Sequence, residues 1–118
     1  MSDLANFGLE QRNGHPVARI TGEIDASNAE EIGRRIRDSV TNQALGLIVD
    51  LSHTTYIDSA GIRLLFDLAG RLERRGLELH LVTAEPSQVA EVLDLVSLDS
   101  VAERHPSLAA ATAALDQD

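Results

Sequence analysis

The stretch Leu45-Gly46-Leu47-Ile48-Val49-Asp50-Leu51 constrains this chain more than any other. An apolar run of strand length, without regular polar alternation, belongs to a strand covered on both faces. It predicts a central strand, and the fold class then depends on what flanks it.

Upstream, Phe7 to Arg12 and Pro16 to Ile20 are short runs on either side of Asn13-Gly14. Both central residues of a type I′ turn need positive φ, so this dipeptide predicts an antiparallel hairpin with strands over about 6–12 and 15–22. The period then changes. Ala29, Ile32, Gly33, Ile36 and Val40 recur at three- and four-residue steps with charged residues between them, which predicts an amphipathic helix over 27–41. Ser27 stands three residues before Glu30, the spacing of a capping box, with acids in the first turn and Arg in the last.

Downstream, residues 52–58 read as a short connection and a second helix begins near Ser59. Its apolar face centres on Leu65, with Gly61, Ile62, Leu68, Ala69 and Leu72 around it, Leu64 and Phe66 at the edges, and Gly76 as the stop. Leu77, Leu79 and Leu81 alternate with Glu78 and His80 as a strand with one wetter face. A third helix carries Val89, Val92, Leu93 and Val96, with Pro86 at its first position. A last edge strand is expected around Val101 to Arg104. Pro106 to Leu115 then reads as a helix docked through Leu108, Ala111 or Thr112, and Leu115. This order predicts an α/β fold. Its mixed sheet has four to five strands, with an N-terminal antiparallel hairpin, about four helices and right-handed crossovers.

No internal repeat or low-complexity tract interrupts the chain, so residues 1–118 are expected to form a single domain. At that length roughly two-thirds of the unfolded surface is buried, enough for one core without disulfides or metal. The absence of cysteine removes disulfide scaffolds, Cys-ligated metals and thiol chemistry together. A net charge of −9 works against nucleic acid and anionic membranes as direct partners. Met1 to Gly8 lacks the features of a signal peptide, and no apolar run approaches the roughly 20 residues of a membrane span. A cytoplasmic protein without membrane insertion is expected.

Catalytic signals are sparse. There is no phosphate-binding loop of the P-loop or dinucleotide type. Asp58-Ser59-Ala60-Gly61 lacks the glycine two residues before serine that a nucleophile elbow uses. His15, His53, His80 and His105 show no metal spacing, and each reads as a surface or packed histidine, so no metal and no cofactor are expected. A nucleotide-binding or hydrolytic reading built on Asp50, Asp58 and Ser59 therefore has little to support it. Ser59 keeps both chemistry and position. It opens a helix just past the expected central strand, at the edge where open α/β sheets bind ligands and partners. Asp58 or Ser59 could be simply the N-cap. Alternatively, a phosphoryl group on Ser59 would lie beside free N–H groups at the positive end of the helix dipole, tolerated by the fold and costly to a docking partner.

Three stretches taken together carry a resemblance: Thr21-Gly22-Glu23-Ile24-Asp25, Leu47-Ile48-Val49-Asp50-Leu51-Ser52, and Tyr56-Ile57-Asp58-Ser59-Ala60-Gly61-Ile62. In this order the chain, from about Phe7 to Leu115, resembles the STAS domain of stand-alone bacterial anti-sigma factor antagonists. The resemblance implies a non-enzymatic switch. Its unphosphorylated form binds an anti-sigma factor that is often a serine kinase, and so releases a sigma factor. The kinase phosphorylates the serine matching Ser59, and a metal-dependent serine phosphatase reverses the reaction. Asp25 and Asp58 match acidic positions near that serine, and local capping competes with recognition at Asp25. The expected partner surface comprises Asp25, Asp58, Ser59, Gly61, Ile62 and Leu64, with Tyr56 at its margin. Two departures stand out. Ala60 replaces the second serine common in the motif, and Ser97-Leu98 replaces a glycine near the end of the third helix, which leaves the loop geometry there open. The alternative within the family is a STAS subunit of a transporter or lipid-transport complex, an assembly module without phosphorylation.

Overall fold

Asn13 and Gly14 both take positive φ, 54° and 83°, and close a tight hairpin as the dipeptide predicts. The computed structural model describes residues 5–41 and 43–116. The first four residues of the stretch read for a signal segment, and the last two of the 1–118 domain, lie outside the described residues.

The hairpin joins β1 (Ala5–Arg12) to β2 (His15–Ile24), and α1 (Ala29–Ser39) leads into β3 (Gly46–Ile57). Then follow α2 (Ser59–Arg74), β4 (Glu78–Val82), α3 (Gln88–Leu95), a 3₁₀ turn (Leu98–Ser100), β5 (Glu103–His105) and α4 (Leu108–Asp116). The five strands lie in the order β1-β2-β3-β4-β5, antiparallel between β1 and β2 and parallel thereafter.

β3 is covered on both faces, as its composition requires. Leu47, Val49 and Leu51 join Ala18, Ile20, Leu79 and Leu81 in the larger core, closed by α1, α2 and α3. Ile48 faces the other way, with Val17 and Val82, against Ala111 and Leu115 of α4. Alternation along the strands thus sorts one apolar sequence into two layers. Asp50 is buried too. Its carboxylate accepts from the Ser52 amide and hydroxyl and lies 3.6 Å from Arg19, mid-strand and away from the strand-end rim.

Three local expectations are corrected. Residues 52–57 are not a connection but continue β3, because Thr54, Tyr56 and Ile57 suit an extended chain and pair with β2 as far as Ile24. The Thr54 hydroxyl is buried there and donates to the Ile20 carbonyl at 2.7 Å. Pro86 does not open α3. Ser87 caps it, its hydroxyl accepting from the Ala90 amide at 3.1 Å, and a side-chain acceptor defines that start. The last strand lies at Glu103–His105, slightly later than expected.

At the glycine-to-serine departure, Ser97 adopts φ 59°, ψ 36°. The chain therefore takes the left-handed path that a glycine would take, at a steric cost of roughly 1–2 kcal/mol. Ser97→Gly should stabilise the protein by about 0.5–1 kcal/mol after the extra freedom of the unfolded chain is deducted, read as a higher denaturation midpoint at unchanged m-value.

Candidate functional site

β2 and β3 end side by side, Ile24 paired with Ile57. The first residues beyond these ends are Asp25 and Asp58, so the parallel register brings together two acids 33 positions apart in sequence. The Asp58 amide donates to the Ile24 carbonyl at 3.2 Å and ties the two exits to each other. On the other side Gln88 of α3 clamps Ile57. Its amide oxygen accepts from the Ile57 amide and its amide nitrogen donates to the Ile57 carbonyl, both at 3.0 Å. β4 pairs with β3 only as far as Asp50, so the Gln88 side chain takes a strand's place at the far end. Nothing in the sequence marks Gln88 for this role.

From this fixed exit Asp58 turns into α2 as its N-cap, Oδ1 accepting from the Ala60 and Gly61 amides at 2.9 and 3.2 Å. The capping question is therefore settled in favour of Asp58. Ser59 follows as the first helical residue, exposed, its hydroxyl free of hydrogen bonds among the described residues. Gly61 explains the last position of the motif. A Cβ there would lie 2.4 Å from Ile57 Cγ1 and 3.0 Å from Ile24 Cγ2, so only glycine lets the first turn of α2 sit on the paired strand ends.

The Asp25 side starts α1 differently from the expected capping box. Asp25 Oδ1 accepts from the Ser27 amide at 2.9 Å and from its hydroxyl, while Asn28 Oδ1 accepts from the Asp25 amide at 3.0 Å. Asn28 is the N-cap, without a side-chain cap bond of its own. Local turn bonding by Asp25 and Asn28 replaces the Ser27–Glu30 pair. Of the apolar residues expected on the surface, Tyr56 is 43% exposed and Ile62 half-buried against the core. Leu64 is a correction: it is only 7% exposed and packs toward Gly33 of α1, where an added Cβ would lie 2.6 Å from it. Gly61 is likewise buried, so Leu64 and Gly61 support the rim from beneath.

The electrostatics of the rim also differ from expectation. The Ala60 and Gly61 amides are already engaged by the Asp58 carboxylate, and the Ile62 amide by the Asp58 carbonyl. An added anion on Ser59 would therefore find its neighbouring helix N–H groups occupied and a carboxylate alongside.

The STAS domain family profile matches residues 6–111. The chain belongs to the STAS domain family. This STAS domain is 28% identical over 105 residues to BtrV of Bordetella bronchiseptica, a candidate anti-sigma factor antagonist, covering 87% of this chain and 90% of that one. Its fold superimposes on an anti-sigma factor antagonist from Mycobacterium paratuberculosis with a TM-score of 0.87 at 24% identity, over 98% and 97% of the two chains. For the anti-sigma factor antagonist SpoIIAA in its unphosphorylated form the TM-score is 0.79 at 21% identity, over 96% and 98%. For Bacillus SpoIIAA in its phosphorylated form it is 0.68 at 21% identity, over 95% and 98%. These likenesses establish the fold.

Away from the rim, His80 and His105, separate in sequence, meet across β4 and β5 with Nδ1 and Nε2 2.9 Å apart. Burial lowers the His105 pKa below the ordinary imidazole range, opposed by the Glu103 carboxylate and reinforced by His80. His15, also buried, is bonded to Asp116 at 2.7 Å, and His53 is exposed. Among the described residues no helix is long and apolar enough to cross a membrane.

Two stability measurements follow from this geometry. Gly61→Ala should cost about 1–3 kcal/mol, since Ile57 or the helix must shift, and chemical denaturation measures it. Asp58→Ala should lose about 1 kcal/mol of cap energy, whereas Ser59→Ala should change stability by less than about 0.5 kcal/mol.

Proposed function

We propose that this STAS domain is an anti-sigma factor antagonist whose binding face is the rim formed by Ser59, Asp58, Asp25, Ile62 and Tyr56. The single observation that carries the reading is the state of Ser59: exposed, hydrogen-bonded to nothing among the described residues, and set on a cap that Asp58 completes without it. A residue so placed can be modified without disturbing the fold.

The unphosphorylated rim binds an anti-sigma factor that is also a serine kinase, and so frees a sigma factor. The kinase transfers a phosphoryl group to the Ser59 hydroxyl, adding close to two negative charges beside Asp58 and near Asp25. Desolvating that charge against a partner surface costs several kcal/mol unless it is paired, and each 1.4 kcal/mol is tenfold in affinity. Release follows from charge and desolvation, with no refolding of the domain. A serine phosphatase restores the binding form. The net charge of −9 favours a basic face on the partner and an encounter rate that falls with added salt. Action in the cytoplasm, as one domain over 1–118 and without cofactor, completes the reading.

Intact-mass spectrometry with site mapping, after incubation with ATP and each candidate kinase of the same genome, tests the acceptor. One added phosphate at Ser59 is expected, with none on Ser59→Ala. Phosphate on Ser59→Ala would move the acceptor, and exposed Thr55 would take precedence over buried Thr54. In binding assays Ser59→Ala should hold the kinase constitutively and Ser59→Asp should bind at least about tenfold more weakly. Equal affinity of the two variants would refute the switch. Stable binding to a permease complex with no phosphorylation by any kinase would assign the domain to transport assembly instead.

A further inference from the structure

β5 touches the sheet for only three residues, and their register brings together side chains that lie 25 positions apart. Glu103 pairs with His80 and His105 with Val82, so His80, Glu103 and His105 project from the same face of the sheet, the one that α4 covers. The two imidazoles are buried, 1% and 9% exposed, with His80 Nδ1 2.9 Å from His105 Nε2. The Glu103 carboxylate reaches over them, Oε1 3.9 Å from His80 Nδ1 and Oε2 3.7 Å from His105 Nε2. On the far side of His80, Glu78 Oε1 lies 2.8 Å from Nε2. The Nε2–H of His80 thereby donates to Glu78, which leaves the Nδ1 lone pair of His80 to accept from His105 Nε2–H.

We propose that His80 Nδ1, His105 Nε2 and a Glu103 carboxylate oxygen form a binding site for a divalent first-row transition metal of the zinc class. Two imidazole nitrogens and one carboxylate oxygen make a donor set for zinc and its neighbours, whereas calcium and magnesium take oxygen ligands. The three ligand atoms lie within 4.8 Å of one another. Metal–ligand bonds of about 2.0–2.2 Å place ligand atoms roughly 3–4 Å apart, so each ring nitrogen already has one Glu103 oxygen at a fitting separation, while the two nitrogens must part by a few tenths of an ångström and their rings tilt so that both lone pairs converge on the ion. Coordination by neutral rings needs His105 to change tautomer: its Nε2 proton leaves for solvent while its Nδ1 takes one up, so no net proton is released.

The support for the ligands is in place. Glu78 accepting from Nε2 of His80 is the carboxylate–histidine arrangement that fixes ring orientation in metal sites. The Glu78 and Glu103 side chains are more than half exposed, so solvent reaches the carboxylates that flank the buried rings. Water would fill the remaining coordination positions. The ion would pin the three-residue β5 to β4, and with it α4, which starts three residues after His105.

Zinc alone, titrated calorimetrically into the full chain in a non-chelating buffer near neutral pH, tests the site. Saturation near one ion per chain and a rise in melting temperature are expected. His105→Gln should abolish both, and Glu103→Ala, a change at an exposed side chain that leaves the circular dichroism spectrum unaltered, should weaken binding at least about tenfold. Glu78→Gln should weaken it by about 10–100-fold, and His53→Ala should leave it unchanged. Absence of binding by the unsubstituted chain, or an affinity unchanged in both Glu103→Ala and His105→Gln, would overturn the assignment.

Discussion

Burial of β3 on both faces is the constraint from which the other elements take their places. A strand whose residues 46–51 all avoid water needs a layer on each side, and the chain supplies α1, α2 and α3 on one and α4 on the other. β2 and β4 run parallel to β3, because each is joined to it through a crossover helix, α1 or α2, that packs on the sheet. The functional rim is a by-product of this arrangement. Parallel strands end together, so the exits of β2 and β3 deliver Asp25 and Asp58 to the same edge.

At that edge, structural and signalling duties fall on different residues. Asp58 caps α2, Gly61 admits the helix to the strand ends, and Gln88 holds the backbone of Ile57. Ser59 does none of these things. Its neighbours are over-determined while its own hydroxyl is uncommitted, which suits a side chain whose chemical state changes. Had Ser59 been the cap, modification would have removed one of the bonds that start the helix, and the signal would have been coupled to unfolding.

Much of this was legible in the sequence, where periodicity and turn chemistry act over short distances. Asn13-Gly14, the apolar run of β3 and the stripe on α2 each report a local preference that the tertiary structure keeps. Hydropathy does not report the strand over 52–57, because there β3 runs past β4 and is held on that side by a side chain. Capping by Asp25 and Asn28 rather than Ser27 was open to misreading because several small polar residues there compete for the same amides. Leu64 lay at the edge of the helical wheel, and only the approach of α1 at Gly33 decides that it is inside. The meeting of His80 with His105 depends on the register of a three-residue strand, which no spacing rule reports. The family motif located Ser59, while the free hydroxyl is a fact of three-dimensional placement.

The sheet order has a consequence for the chain as it is made. Spatial order equals sequence order, β1 to β5, with no strand inserted between two earlier ones. A polypeptide leaving the ribosome N-terminus first can therefore lay each new strand against one already formed. No early strand has to hold two open edges in reserve for a late arrival. The hairpin supplies a local antiparallel start, and each later helix–strand unit extends the sheet on one side only, so exposure of unpaired strand edges during synthesis is kept to a single moving front.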